Sequence, residues 1–323
     1  MEPAPINLNL LQEFEHGLDP QHPERSAIPA RVLGYGEIST VFGIQAEGME
    51  GLAFKRLPLF ENETEVRRYQ AVYDEYLSLL SGPIGLHLPP GSRAVVQGRS
   101  GKPVFYIIQR RLAAESIGNR ALDYLSPAEA ATLVQRILRE MHKVWAFNRG
   151  QKELRAAVDG QISNWAIEGF DPAAPSLEKN HLRYLDTSTP LFRRNGQEQL
   201  DVELFLRSAP SFLVWVLRLL FLQEVVDRYY DPHLVAVDLV ANFYKEQQVE
   251  LIPLVIDVVN DFFRNEAADL DIAPLDEQEV RAYYREDALI WRLYLSMRRL
   301  DRFLQVRLLR REYPYILPRN IKR

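Results

Sequence analysis

Leu33-Gly34-Tyr35-Gly36-Glu37-Ile38-Ser39-Thr40-Val41-Phe42, followed by Leu52-Ala53-Phe54-Lys55, is the stretch that decides how this chain folds. Two β-prone runs flank a turn punctuated by glycines, and a third run ends in lysine. Glycines at such a turn let backbone approach phosphate oxygens with no Cβ between them. A lysine on the next strand then reaches the same phosphates as a point charge. Gly34, Gly36 and Ser39 are therefore candidate phosphate-loop residues, with Lys55 their cationic partner.

Working outward, the 28 or so residues before this hairpin read as a short helix (Leu10, Leu11, Phe14, Leu18) ending in a Pro- and His-containing stretch. β-Type runs are expected at 30–34, 40–46 and 51–57, then at 93–97 and 104–109. Between them, Asn62 as N-cap and Glu65 at N3 open a helix to about Leu80, with its inner stripe at Tyr69, Val72, Tyr73, Tyr76, Leu79 and Leu80. Ser126-Pro127-Ala128-Glu129 opens a second, running to about Phe147. Helical periodicity then dominates at 201–230, 233–247, 252–264 and 277–312, the last opened by Asp276 and Glu279. Strands first and helices later predict an α+β chain. Its divisions would be an N-terminal extension (1–28), a β-rich unit (29–112) and a helical unit (113–323).

Two further segments carry the chemistry: Asp159-Gly160-Gln161-Ile162-Ser163-Asn164 and Leu182-Arg183-Tyr184-Leu185-Asp186-Thr187-Ser188. Glycine loop, strand lysine, long helix, hinge strand, Asp-x4-Asn and strand-terminal Asp follow one another in order. In that order the chain resembles the protein-kinase-like superfamily, in particular its small-molecule branch of aminoglycoside and choline kinase type, over about residues 30 to 190. The resemblance implies a bilobal fold, ATP and Mg²⁺ as cofactors, and transfer of phosphate to a small molecule in preference to a protein. It gives Lys55 to the nucleotide phosphates and Glu75, bordering the apolar stripe of its helix, to Lys55. Gln109 and Arg111 would sit at the hinge beside the nucleotide. Asp159 would orient or deprotonate the acceptor hydroxyl, and Asn164 and Asp186 would hold magnesium, which favours hard oxygen donors.

The sequence also departs from the pattern. Ala157-Val158 precede Asp159 where the family carries His-Arg or His-Gly, Thr-Ser follows Asp186 in place of Phe-Gly, and 169–181 is an insertion between two short strands. No Ala-Pro-Glu motif follows. These departures leave a second reading, a pseudokinase serving as a nucleotide-sensing or scaffold module.

Composition is that of a globular chain: 47% hydrophobic, 26% charged, net charge −5. The acidic balance argues against a general nucleic-acid partner, and the absence of cysteine removes disulfides, thiolate nucleophiles and zinc–cysteine sites. No secretory signal is visible at the start, and the most apolar run, Phe212–Leu222, is too short to span a bilayer and contains Arg218; the expectation is a cytoplasmic protein. Residues 291–323 hold ten Lys/Arg against two acids, so +8 lies there and −13 in the remainder. This amphipathic helix would either dock on the acidic body or meet an anionic surface or protein partner, which supports a third reading as an interaction protein.

Overall fold

The computed structural model describes residues 6–318 apart from Glu37, Ser176, residues 178–179, Val202 and residues 208–225, with Phe205 described in its backbone alone. Within that range the fold is α+β, a β-rich first part followed by a helical one. Strands β1 (Ala30–Tyr35), β2 (Thr40–Ile44), β3 (Leu52–Leu57), β4 (Gly91–Gln97) and β5 (Pro103–Arg110) form one antiparallel sheet in the order β1-β2-β3-β5-β4. A bulge at Leu33 shifts the β1–β2 register, so that Val32 pairs with Phe42 and Gly34 with Val41.

Period-two alternation along β3 assigns its residues to opposite faces. Phe54 and Arg56 face one way, with Phe42, Tyr106 and Ile108 across the ladder. Helix α1 (Leu8–Gly17) covers that side through Leu11 and Phe14, which are fully buried. Asn7 caps α1 by accepting from the Leu10 amide. The predicted N-terminal helix is thus a layer over the sheet.

An ion pair is enclosed in this layer. Arg56 donates from Nε and Nη2 to the two Glu15 oxygens at 2.7 and 2.6 Å, and Tyr106 donates to Glu15 Oε2 at 2.5 Å. Nη1 of Arg56 donates to the Pro314 carbonyl at 2.7 Å, which brings this part of the C-terminal segment to the same face, with Ile316 in the same apolar cluster.

On the other face, helix α2 (Glu63–Ser81) packs against Leu57, Phe105 and Ile107 through Val66, Tyr69 and Tyr73. Its predicted cap holds: Asn62 accepts from the Glu65 amide, while the Glu65 carboxylate takes the Glu61 amide and Arg207. Helix α3 (Pro127–Gly150) begins with a complete capping box between Ser126 and Glu129. With α4 (Pro232–Lys245), α5 (Ile252–Asn265) and α6 (Glu277–Phe303) it forms the larger apolar core, which extends to Tyr76 and Leu80 of α2.

Short strands lie between α3 and α4. β7 (Trp165–Ile167) pairs with β8 (Leu182–Tyr184), so the predicted insertion is their connection. β6 (Leu154–Ala156), β9 (Phe192–Arg194) and β10 (Gln197–Glu198) make a second small sheet. β9 and β10 have no counterpart among the expected strands, because two or three residues are too short for periodicity to register. Of the expected 201–230 helix, a single turn at Glu203–Leu206 and a 3₁₀ turn at Arg228–Tyr230 are described, and the run Phe212–Leu222 lies outside the described residues. The last helix is shorter than the expected 277–312. It gives way to a π-type turn over Leu304–Leu308, and Arg310 adopts a left-handed conformation (φ 52°) that ends helical propagation.

Removing one partner of a buried pair strands the other charge, at a cost of about 3–5 kcal/mol. Glu15→Ala is expected to lower the stability read from urea denaturation by that order; a loss below about 1 kcal/mol would mean that Arg56 is satisfied without Glu15.

Candidate active site

Lys55 projects from the face of β3 opposite Arg56. Its register partners Val41 and Ile107 share that face, as do Ala53, Gln109 and, by continued alternation, Arg111. Towards β5 this face is closed by α2. Towards β2 it is open: Val41, Gly43, Ala53, Lys55 and Gln109 are all half-buried and Arg111 is exposed. The guanidinium of Arg111 lies beside Gly43, with Nη1 at 3.7 Å from where a Cβ would stand. Gln109 and Arg111 therefore line the same side of the sheet as Lys55.

The glycine turn is tight at one position. Gly36 donates its amide to the Ser39 carbonyl at 3.0 Å, and a Cβ there would meet Ser39 Oγ at 2.7 Å. Gly34 is under no such pressure, its nearest neighbour being Val41 at 4.0 Å. Ser39 itself is buried under the turn rather than turned outward. Glu37 lies outside the described residues.

The lysine reaches across the chain. Lys55 Nζ donates to Asp186 Oδ1 at 2.9 Å and to Ser188 Oγ at 3.0 Å, and Ser188 Oγ in turn donates to Asp186 Oδ1 at 2.9 Å. Burial alone would raise the Asp186 carboxyl; the Lys55 ammonium and the Ser188 hydrogen bonds outweigh it and hold the group below the usual carboxylate range.

Glu75 is not part of this contact. Its carboxylate pairs with Arg194, both side chains being substantially exposed, so the expected Lys55–Glu75 pairing is replaced by Lys55–Asp186. The physical reason lies in which face of α2 turns inward. Tyr69, Tyr73 and Tyr76 occupy that face at i, i+4 and i+7, and position 75 falls at its border. Tyr69 donates to the Ser188 carbonyl at 2.8 Å, Tyr73 shares a hydrogen bond with Thr187 Oγ1 at 3.3 Å, and Tyr76 donates to the Ala157 carbonyl at 2.7 Å. Three phenols thus fasten α2 to both segments flanking the site. The inner stripe read as apolar in sequence carries a hydroxyl at three of its buried positions, Tyr69, Tyr73 and Tyr76, and each needs a partner once buried.

Asp159 and Asn164 come from the loop before β7. Gly160 is there because the loop is wedged between helices: a Cβ would stand 2.7 Å from Met141 Sδ and 2.8 Å from Val235 Cγ1. Asp159 receives the Gln161 amide on Oδ1 at 3.0 Å, its own amide donates to the Tyr184 hydroxyl at 3.0 Å, and its carbonyl accepts from Asn164 Nδ2 at 3.4 Å. The Leu185 amide donates to the Asn164 carbonyl at 2.8 Å, extending the β7–β8 ladder and setting Asn164 across from the residue preceding Asp186. Lys55, Asp186, Asn164 and Asp159 are brought together in this way from three segments: β3, the loop before β7 and the turn after β8.

Behind Asp159 lies a polar cluster that sequence reading missed. Asp238 of α4 hydrogen bonds Tyr283 of α6, the Arg228 guanidinium donates to Tyr283, and Lys245 Nζ donates to Gln161 Oε1 at 3.0 Å. Burial first, then the charges of Asp238 and Asp186, push the Asp159 carboxyl up to about 8. Two surface depressions take in Arg31, one with the β2–β3 turn and Arg111, the other with the C-terminal segment, and contain none of these four residues.

Residues 20–302 match the family described as "Family of unknown function (DUF6206)". The chain belongs to DUF6206. No curated protein matches it. Among solved structures, one described as "WaaP in complex with acyl carrier protein" shares 14% identity over 72% of this DUF6206 chain and 99% of the other, with a TM-score of 0.31. A superposition that loose carries neither fold nor chemistry to the DUF6206 chain, whose site is argued from its own residues. Among the described residues no helix is long and apolar enough to cross a membrane.

The raised Asp159 carboxyl has a consequence for stability. A carboxyl with a folded-state pKa above its unfolded value of about 4 stabilises the fold fully below that value, and this contribution is lost as pH rises through about 8. In EDTA, the denaturation midpoint is expected to fall between pH 6 and pH 9, and to fall less in Asp159→Asn; parallel profiles for the two proteins would contradict the assignment.

Proposed function

We propose that this chain is a protein-kinase-like phosphotransferase that uses ATP and Mg²⁺, with a small molecule rather than a protein as acceptor. The observation that carries the reading is the Lys55–Asp186 contact, made across 131 residues of sequence between the open sheet face and the strand-terminal carboxylate. Residues 29–112 would form the nucleotide-facing lobe and 113–323 the helical lobe, with residues 1–28 as an extension.

The donor set suits magnesium. Asp186 is held ionised, Asn164 engages its amide nitrogen with the Asp159 carbonyl and so keeps an amide oxygen to offer, and both are hard oxygen ligands. Bound there with nucleotide, the ion would neutralise charge on the phosphates. Lys55, released from direct contact with Asp186, would hold the α- and β-phosphates, and the tight Gly36 turn would cover them with Gly34 and Ser39. Gln109 and Arg111 line the same open face and would meet the base and ribose side. Asp159, buried beside Asp238 and Asp186, would orient the acceptor hydroxyl or, where bound cations lower its carboxyl, take its proton. Catalysis of this kind is mostly positioning and charge neutralisation.

A second reading, nucleotide sensing without transfer, is favoured by one observation: Glu75 stands with Arg194, leaving Lys55 no acidic partner on α2. Thermal-shift titration with ATP, with and without Mg²⁺, separates the two when combined with an acceptor-independent ATPase assay. Binding at about a hundred times the dissociation constant would stabilise the chain by about 2.7 kcal/mol. Mg²⁺-dependent stabilisation abolished in Lys55→Ala and Asp186→Ala, with slow hydrolysis lost in Asp159→Asn, is the expected result. Stabilisation by ATP that ignores Mg²⁺ and Asp186 would favour the sensing module, and no response to nucleotide would remove the phosphotransferase reading.

A further inference from the structure

The second half of α6 carries large apolar side chains in the open. Leu289, Leu293, Leu300 and Phe303 are 61, 56, 47 and 55% exposed. Steps of four, seven and three residues put them on one line along the helix. The opposite side of the same helix is packed, with Val280, Ala288 and Leu295 buried. In the turn beyond the helix, Leu308 and Leu309 are likewise 66 and 54% exposed.

Arginines flank this line. Arg285 and Arg292, seven residues apart and both exposed, run along one edge, and Arg307, Arg310 and Arg311 surround the Leu308–Leu309 step. Two other arginines of the segment are used by the fold: Arg298 is buried against the rings of Tyr294 and Tyr315, and Arg299 donates to the Pro318 carbonyl at 3.0 Å. The basic charge concentrated after residue 290 is therefore partly structural, while the part that remains outward borders apolar surface.

We propose that this face of α6 and the turn after it lie in the interface of an anionic lipid bilayer. Leu289, Leu293, Leu300 and Phe303 would enter the upper acyl region, and the flanking arginines would meet lipid phosphates. The apolar line, from Leu289 to Phe303, is about 21 Å long at the helical rise and would lie parallel to the membrane rather than across it. A nucleic acid or soluble polyphosphate would match the arginines and leave four large apolar side chains in water. A bilayer with anionic headgroups offers an acidic layer with an apolar one a few ångströms beneath, which suits both rows at once. The acidic remainder of the chain, at −13, would be repelled by the same surface, which favours this face as the one turned towards it. None of this depends on the phosphotransferase reading.

Flotation of the full chain with phosphatidylcholine vesicles, with and without about a third phosphatidylglycerol, tests the assignment. Binding is expected with phosphatidylglycerol and is expected to weaken steeply in its absence or in high salt. Leu293→Glu with Leu300→Glu, and separately Arg285→Glu with Arg292→Glu and Arg307→Glu, should each reduce partitioning by about tenfold or more, since each buried apolar group and each arginine at the surface counts for at least a severalfold change. These side chains are exposed, so denaturation midpoints should stay at the wild-type value and report intact folding. Failure of the wild type to float with anionic vesicles would overturn the proposal, as would variants that float like the wild type. A dimer in light scattering that Leu293→Glu with Leu300→Glu dissociates, without any vesicle binding, would assign the face to a second copy of the chain instead.

Discussion

Strand β3 sets two cations side by side and sends them to opposite faces of the sheet, and each requires a carboxylate from elsewhere in the chain. Lys55 finds Asp186, and Arg56 finds Glu15. Alternation makes this unavoidable: a one-residue slip of β3 would exchange the two side chains, burying a lysine under α1 and presenting an arginine to the site. The register of the central strand, the seating of α1 and the approach of the Asp186 segment are thus mutually dependent. An unpartnered charge on either face would be costly enough to decide among alternative packings.

The two contacts differ in character. Arg56 and Glu15 are closed in, bidentate, and joined by Tyr106 and the Pro314 carbonyl, so they act as a structural core on the outer face. Lys55 and Asp186 remain partly accessible, sharing Ser188 between them. Such an arrangement can be opened by a ligand with charges of its own, whereas the outer pair has no room for one. Structure and candidate chemistry are separated here by the thickness of a single strand.

Much of this was legible in the sequence wherever the signal is local. Asn62, Ser126 and Asp276 were readable as caps because a cap needs only its own next three residues, and each accepts the amide it was expected to accept. Lys55, Asp159, Asn164 and Asp186 could be singled out by order along the chain. Choice of partner could not. Glu75 and Arg194 lie 119 residues apart, and nothing near either one announces the other. The C-terminal segment is a similar case: Tyr313 and Leu317 are buried with Leu295 of α6, and Ile316 with the sheet, contacts that no local pattern announces. The cluster of Asp238, Arg228 and Tyr283 was invisible for the same reason, being assembled from two helices and a turn.

The tyrosines of α2 give the site an unusual kind of attachment. Burial holds Tyr69 and Tyr76 well above the ordinary phenol range, and pushes Tyr73 up to about 12, so all three stay neutral wherever the protein is folded. Their bonds run to two carbonyls and a hydroxyl, none of which carries charge. Concentrated salt, which shortens electrostatic reach to about 3 Å at 1 M, leaves such contacts almost untouched while weakening the partly exposed Lys55–Asp186 pair. Ionic strength would therefore loosen the lysine while the helix kept its place, dividing one site into a part that responds to its surroundings and a frame that does not.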